Sequence, residues 1–302
     1  MLKGLSKALI CGGIVDICEV IDLESSTKTC KHLPSFPAGF EAAIGGLNFK
    51  ENPIICGGFQ NGARSNKCYT LEDNNWVSTA SMNSATNDAA GAQLPDGKIL
   101  VTGGYDGKAV LNSAEILTKA GWESTVPSLP VTIIYHCMIT VNSTTVMAIG
   151  GHQDNQFSGK MFYFTFGEES WMEGPELKNK RSFHSCGRIR KDKESQEMSI
   201  IAAGGHDGSS YLSSSEILDV ASNEWKTGPE LPFGIHKAQM VEDPNGGVIL
   251  IGGGSESIPY LDTLYQLPHG GQDAVWTKKE QKLEIARYLP KAFLVPDKTV
   301  DC

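Results

Sequence analysis

Five of the seven histidines, His136, His152, His184, His206 and His236, fall in or beside turn-forming segments of the chain. Imidazole is both a metal ligand and a proton carrier near neutral pH. Three of them, His136, His184 and His236, begin the same predicted strand in consecutive repeats, and such a ring could hold iron, copper or zinc. A histidine repeated at a strand start is more often solvated or capping, so no metal and no cofactor is expected. The eight cysteines are the second reactive set. Cys11 and Cys56 immediately precede a Gly-Gly doublet, and Cys18 and Cys68 sit on the strand that follows, at the place held elsewhere by Ala114, Met161, Ser215 and Thr263. Facing residues of antiparallel neighbours lie within disulfide reach. The repeated register therefore predicts Cys11–Cys18 and Cys56–Cys68 bridges, with four buried thiols as the alternative. Cys137 and Cys186, on inner strands of adjacent repeats, read as reduced core thiols. The pairing of Cys30, Cys137, Cys186 and Cys302 stays open. Disulfides imply an oxidising compartment, so an extracellular location is expected, with a cytoplasmic one as the alternative. No nucleophile elbow is present; Gly252-Gly253-Gly254-Ser255 is the nearest stretch and belongs to the repeat.

The elements that would position these residues are periodic. Gly-Gly doublets stand at 12, 57, 103, 150, 204 and 252, each after a short β-branched run such as PIIC, KILVT or GVILI. Each run reads as a buried strand ended by the doublet. Trp76, Trp122, Trp171, Trp225 and Trp276 follow their doublets by 19, 19, 21, 21 and 24 residues. Between doublet and Trp lies another strand, and beyond the Trp a Pro-containing turn and a further strand. Each unit thus holds four strands, A to D outward, with the doublet closing B and the Trp opening D. The first unit has Cys30 where the others have Trp. The final segment, KAFLVPD, reads as strand A of the unit whose outer strands lie in residues 5–33. One all-β domain over residues 1–302 is expected.

The remaining composition narrows the function. The chain has 302 residues and a net charge of −9. With no Lys/Arg block, it is a poor partner for nucleic acid or for anionic membrane surfaces. No apolar run is long enough to span a membrane. The doublets do not open helices, so they are not dinucleotide fingerprints.

Doublets after apolar strands, a Trp about twenty residues on, and a period near fifty resemble the kelch-repeat family. The resemblance implies a six-bladed β-propeller of four-stranded antiparallel blades, closed by the C-terminal strand pairing into the N-terminal blade. The C-G-G…C pattern of the first two units resembles the cysteine-containing extracellular variant of the family. Iron-binding kelch proteins of the specifier type carry Glu-x3-Asp-x3-His; here Glu176, Lys180 and His184 have that spacing, but Lys180 replaces the middle carboxylate.

In this topology the B–C and D–A loops share one rim. It would carry Arg64, Tyr105, Asp106, His152, Asp154, Arg181, Phe183, His184, His206, Asp207, Tyr211, His236, Tyr260, Arg287 and Tyr288. Tyr and Arg are enriched in recognition hot spots. The expectation is a monomeric, non-enzymatic propeller binding a protein or peptide on this rim, most strongly through Arg181, Phe183, His184, His152, Asp207 and Tyr211. The family suggests two alternatives. One is the substrate-recognition half of a ubiquitin-ligase adaptor or an actin-binding kelch protein. The other is a sugar epimerase or metal-dependent kelch enzyme, in which Arg181 and His184 could serve as acid and base.

Overall fold

A computed structural model of the chain describes residues 4–13, 15–25, 30 and 33–300. Alternating short strands and glycine turns build six radial sheets. From the axis outward, the second blade is Ile44–Leu47, Pro53–Cys56, Cys68–Glu72 and Asn75–Thr79. The third is Ala90–Gln93, Ile99–Thr102, Ala114–Thr118 and Gly121–Glu123. The fourth is Cys137–Thr140, Thr145–Ile149, Met161–Thr165 and Met172–Glu173. The fifth is Ser185–Arg190, Met198–Ala203, Ser215–Asp219 and Glu224–Thr227. The sixth is Gln239–Glu242, Val248–Ile251, Leu261–Leu267 and Thr277–Arg287.

The first blade is made from both ends of the chain. Pro290–Val295 pairs antiparallel with Lys7–Gly12, which pairs in turn with Cys18–Asp22. Lys7 is buried and donates to the carbonyls of Asp297 and Val300, while Ser6 bonds the Asp297 carboxylate at 2.8 Å. The six innermost strands touch in cyclic order, so the ring is closed and no inner sheet edge is left open.

The doublets end each B strand because both glycines take left-handed φ. At Gly150 (φ 64°) a Cβ would sit 2.7 Å from the Arg181 carbonyl, and at Gly151 (φ 87°) 2.7 Å from that of Ile134. The second glycine's N–H donates to the next D–A loop, as in Gly151 to the Arg181 carbonyl at 2.8 Å and Gly205 to Ile235 at 2.8 Å. Each Trp is structural. The indole N–H of Trp171 donates to Pro127 (2.8 Å), that of Trp225 to Pro175 (3.0 Å) and that of Trp276 to Pro229 (3.1 Å), always in the preceding blade. Trp76 and Trp122 make the same bond to Pro34 and Ala80.

The cysteines depart from expectation at one pair. Cys11–Cys18 and Cys56–Cys68 are disulfides, with Cα atoms 4.2 and 4.1 Å apart, fully buried beside their doublets. Cys137 and Cys186 are not reduced thiols: they join the inner strands of the fourth and fifth blades, Cα to Cα 6.0 Å. Neighbouring inner strands come this close because both run beside the narrow axis. Cys30 is also disulfide-bonded; Cys302 lies outside the described residues. In the sixth blade the position equivalent to Cys68 is Leu264 rather than Thr263, because that B–C loop is one residue longer: Gly252 N–H donates to Thr263, where Gly204 N–H donates to Ser214.

Candidate functional site

The B–C and D–A loops do share a face. Two small sheets weave them together: Phe40–Glu41 with Phe59–Gln60 and Ala63–Arg64, and Ile133–Ile134 with His152–Gln153 and Gln156–Phe157. On this face the channel mouth is framed by a collar of main chain. Ala42, Asp88, Tyr135, Phe183, Lys237 and Leu289 occupy one equivalent position each, and all six have left-handed φ between 49° and 59°. Each N–H from Asp88 onward donates to the carbonyl of the equivalent residue one blade back, at 3.2, 3.3, 3.0, 2.9 and 2.8 Å in chain order. Left-handed φ costs a non-glycine residue roughly 1 kcal/mol, and the inter-blade bonds offset that strain.

Aromatic side chains rise from the collar and its surrounding loops. Tyr135 stacks on Phe183 with centroids 3.9 Å apart, and His152 lies edge-on to Tyr135 at 5.6 Å. Phe157 bridges His152 (4.1 Å) and His206 (5.5 Å). Tyr211 packs against His206 at 5.2 Å and stacks on His236 at 4.1 Å. A continuous aromatic band therefore spans the third to sixth blades, partly open to solvent and most exposed at Tyr211. Tyr260 lies 5.0 Å from Tyr288 at the sixth blade. The Lys237 ammonium stands over Phe183 (4.9 Å) and Tyr288 (4.8 Å). Across the mouth, Arg64 lies over Phe59 and Tyr105 and donates to Asn87 at 3.1 Å.

The charges at the mouth are tuned by enclosure. Burial, helped by the nearby Glu41 carboxylate, raises the Asp88 carboxyl to about 7, although Lys237, Asn87 and Arg64 favour its ionised form. Burial and then Lys237 and His206 push His236 down to about 4. His152 is also lowered, by burial and then by His206.

Several expected rim residues are elsewhere. Arg181 and Arg287 have no exposed surface. Each reaches into the next blade and satisfies the end of its B strand. Arg181 donates to Gly204 (2.8 Å), Ser214 (3.0 Å) and Glu216 (2.9 Å). Arg287 donates to Gly12 (3.1 Å), Ile17 (3.0 Å) and Glu19. Both are structural ties, because a buried guanidinium needs several acceptors and a carboxylate, and the C strand supplies them. His184 is buried beneath the collar, and enclosure between Arg181 and His136 holds it neutral far below its ordinary range. It is no rim contact.

The histidines also fail to form the expected ring. His136 and His184 each follow a collar residue and point into the interior, where His136 Nε2 shares a 2.9 Å hydrogen bond with Thr102. His236 precedes its collar residue and lies outside, on Tyr211. Among the described residues no three metal-ligating side chains converge. Asp207 accepts from Ser209 and Ser210 and Asp106 from Lys108 and Ala109 within their own turns, Asp154 accepts from Thr132 of the neighbouring D–A loop, and all three stay on the loops of this face. Arg64, Tyr105, His152, Phe183, His206, Tyr211 and Tyr260 remain on the open face.

Sequence reasoning passed over Asp88, Tyr135, Phe157 and Lys237. A signal existed for three of them. Asp88, Tyr135 and Lys237 each stand fifteen residues before a doublet, at 103, 150 and 252.

The comparisons with known proteins agree with the architecture. The Kelch motif family matches residues 199–232. The F-box/kelch-repeat protein At2g44130 of Arabidopsis thaliana is 26% identical over 106 residues, which is 34% of this chain and 24% of that protein. Spermatocyte protein spe-26 of Caenorhabditis elegans is 28% identical over 135 residues, 44% of this chain and 22% of its own length. The chain thus spans less than a quarter of the length of either curated relative. The solved structure of YjhT superposes with a TM-score of 0.76 at 15% identity, covering 91% of this chain and 94% of that one, which is a likeness of fold.

Proposed function

Taking as premise that the chain belongs to the kelch-repeat propellers, we propose that it is a non-enzymatic, monomeric binding module whose B–C/D–A face holds a protein or peptide. The observation that carries this reading is the aromatic band from Tyr135 to His236, mounted on a collar of main-chain bonds. Partly exposed aromatics held at fixed positions contribute contact area with little ordering cost, which is what recognition hot spots require. Arg64 adds a guanidinium already stacked on Tyr105.

The compartment is read from the disulfides. Three bridges whose partners are both described, two of them fully buried, support an extracellular or secreted location over a reducing cytosol. Among the described residues no helix is long and apolar enough to cross a membrane. The F-box in the name of the plant relative supports an intracellular adaptor as a second reading. Reduced thiols in protein isolated from its native source would favour it.

The test is capture of partners from the fluid the protein inhabits, followed by affinity measurement for each partner identified. The double variant Phe157→Ala/Tyr211→Ala should weaken binding by roughly 2–4 kcal/mol with the circular dichroism spectrum unchanged. Unaltered affinity would remove the aromatic band as the binding surface.

A further inference from the structure

One motif of the chain has no part in the aromatic face. Asn142-Ser143-Thr144 is the one Asn-X-Ser/Thr triplet in the sequence. It forms the turn between strands Cys137–Thr140 and Thr145–Ile149 of the fourth blade. Strand Cys137–Thr140 starts beneath the collar and runs away from it, so the turn lies at the end of the blade opposite the aromatic band. Asn142, Ser143 and Thr144 are all exposed. The base of the turn is firmly held. Val141 N–H donates to the Thr145 carbonyl at 2.9 Å and Phe166 N–H to that of Thr144 at 2.8 Å. The hydroxyls of Thr145 and Thr165 share a further bond at 3.2 Å.

The Asn142 amide is used through one end alone. Its Oδ1 accepts from the N–H groups of Thr144 and Thr145, both at 2.9 Å, and from the Thr144 hydroxyl at 3.2 Å. Its Nδ2 has no acceptor among the described residues. Other asparagines differ at that nitrogen. Asn48, Asn66, Asn87 and Asn112 donate from Nδ2 to Thr70, Met82, Asp88 and Leu129. A bulky substituent on any of those nitrogens would crowd an existing bond, and one on Asn142 would not. The turn thus fixes the side chain by its oxygen and presents its nitrogen to solvent.

We propose that Asn142 is an N-glycosylation site, which takes an oligosaccharide from a lipid-pyrophosphate donor. Nδ2 forms a bond to C1 of the reducing-end sugar. The bond from C1 to the pyrophosphate oxygen breaks, and the lipid pyrophosphate leaves with the electron pair. The amide gives up one of its two hydrogens as a proton and keeps the other. The inference rests on the extracellular reading above, because the donor is met on the secretory route, where disulfides also form. The three bonds to Oδ1 are untouched, so the turn keeps its shape. The glycan stands in solvent on the end of the blade away from Phe157 and Tyr211. It closes that end to large partners and leaves the aromatic face open.

The full chain, directed into the secretory route of cultured animal cells by an added leader, tests the site. It should migrate one discrete glycan step above its peptide-N-glycosidase product, and peptide maps should place the glycan on Asn142. Asn142→Gln and Thr144→Ala should each abolish the step, and Thr144→Ser should retain it. The step is read on retained and secreted chain alike, so it does not depend on how well a variant folds. A wild-type chain without the step, or an Asn142→Gln chain that keeps it, would overturn the proposal. Protein from its native source separates the site from the compartment. Unmodified Asn142 beside oxidised cysteines would overturn the site and leave the extracellular reading standing. Unmodified Asn142 beside reduced thiols would overturn both.

Discussion

The first two blades and the fourth and fifth close the same joint by different means. Beside each doublet, the last residue of strand B faces the first of strand C. In the first two blades that pair is Cys11 with Cys18 and Cys56 with Cys68, covalently bonded. In the fourth and fifth it is Ile149 with Met161 and Ala203 with Ser215. The hydrogen-bond ladder is the same, so the register is set by the backbone, and bond or packing fills it equally well. The loops above differ too. The first blade's joint spans only seven residues, while those of the fourth and fifth carry His152, Phe157, His206 and Tyr211. The decorated blades are stapled instead to each other, through Cys137–Cys186. By these disulfides one region is tied within its blades and the other between them.

The largest expected effect comes from breaking a tie of the second kind. Arg181→Ala removes four hydrogen bonds to the fifth blade and takes from the buried Glu216 carboxylate its counter-charge, leaving it only the N–H groups of Lys178 and Asn179. It should cost roughly 3–5 kcal/mol in denaturant unfolding. A loss below 1 kcal/mol would show that the guanidinium is dispensable. Next come the disulfides, ranked by the loop each closes. Replacing both Cys137 and Cys186 by Ala opens a separation of 49 residues and should cost about 4 kcal/mol, against about 2.5 for Cys11 and Cys18 at a separation of seven. Equal losses would break the loop-entropy account of the difference. Smaller still, Tyr211→Ala should change stability by no more than about 0.5 kcal/mol, because its side chain is among the more exposed.

A separate effect, in which opposing groups partly cancel, is a pH slope. The unfolded chain releases the Asp88 proton near 3.8, while the folded chain keeps it to about 7. The native state therefore binds the extra proton across that window, and this group's contribution to stability falls as pH rises from about 4 to about 7. His136, His184 and His236 act in the opposite sense. Their depressed folded values make stability rise with pH up to about 6.5. Asp88→Asn should make melting temperature rise more steeply with pH between about 4 and 6.5 than in the parent chain. An identical pH curve in that variant would remove Asp88 from the account.

How far the chain could be read before folding follows from where each signal lives. The doublets, the Trp spacing and the two C-G-G…C pairs are local and repeated, so blades, register and two bridges were legible. The closing strand was legible because KAFLVPD has the apolar pattern of strand A, and it pairs with Lys7–Gly12. Arg181 and Arg287 were misplaced because their partners, Glu216 and Glu19, lie 35 and 268 residues away. A loop arginine looks exposed until its acceptors are known. Cys137 and Cys186 share no register position, so only the approach of inner strands at the axis brings them together. Phe183 sits 21 rather than fifteen residues before its doublet, because the fifth blade's A–B hairpin is longer. That irregularity hid the collar.

The collar has one consequence for how the mouth can change. Its bonds run from main-chain N–H to main-chain carbonyl, so they are indifferent to what each residue carries. Ala42, Asp88, Tyr135, Phe183, Lys237 and Leu289 already sample small, acidic, aromatic, basic and aliphatic groups on one geometry. Such positions behave as interchangeable sockets, and new recognition chemistry can be grafted there without redesigning the ring. Two kinds of residue stay outside that freedom. Proline has no N–H to pass the chain of bonds to the next blade, and β-branched residues resist left-handed φ.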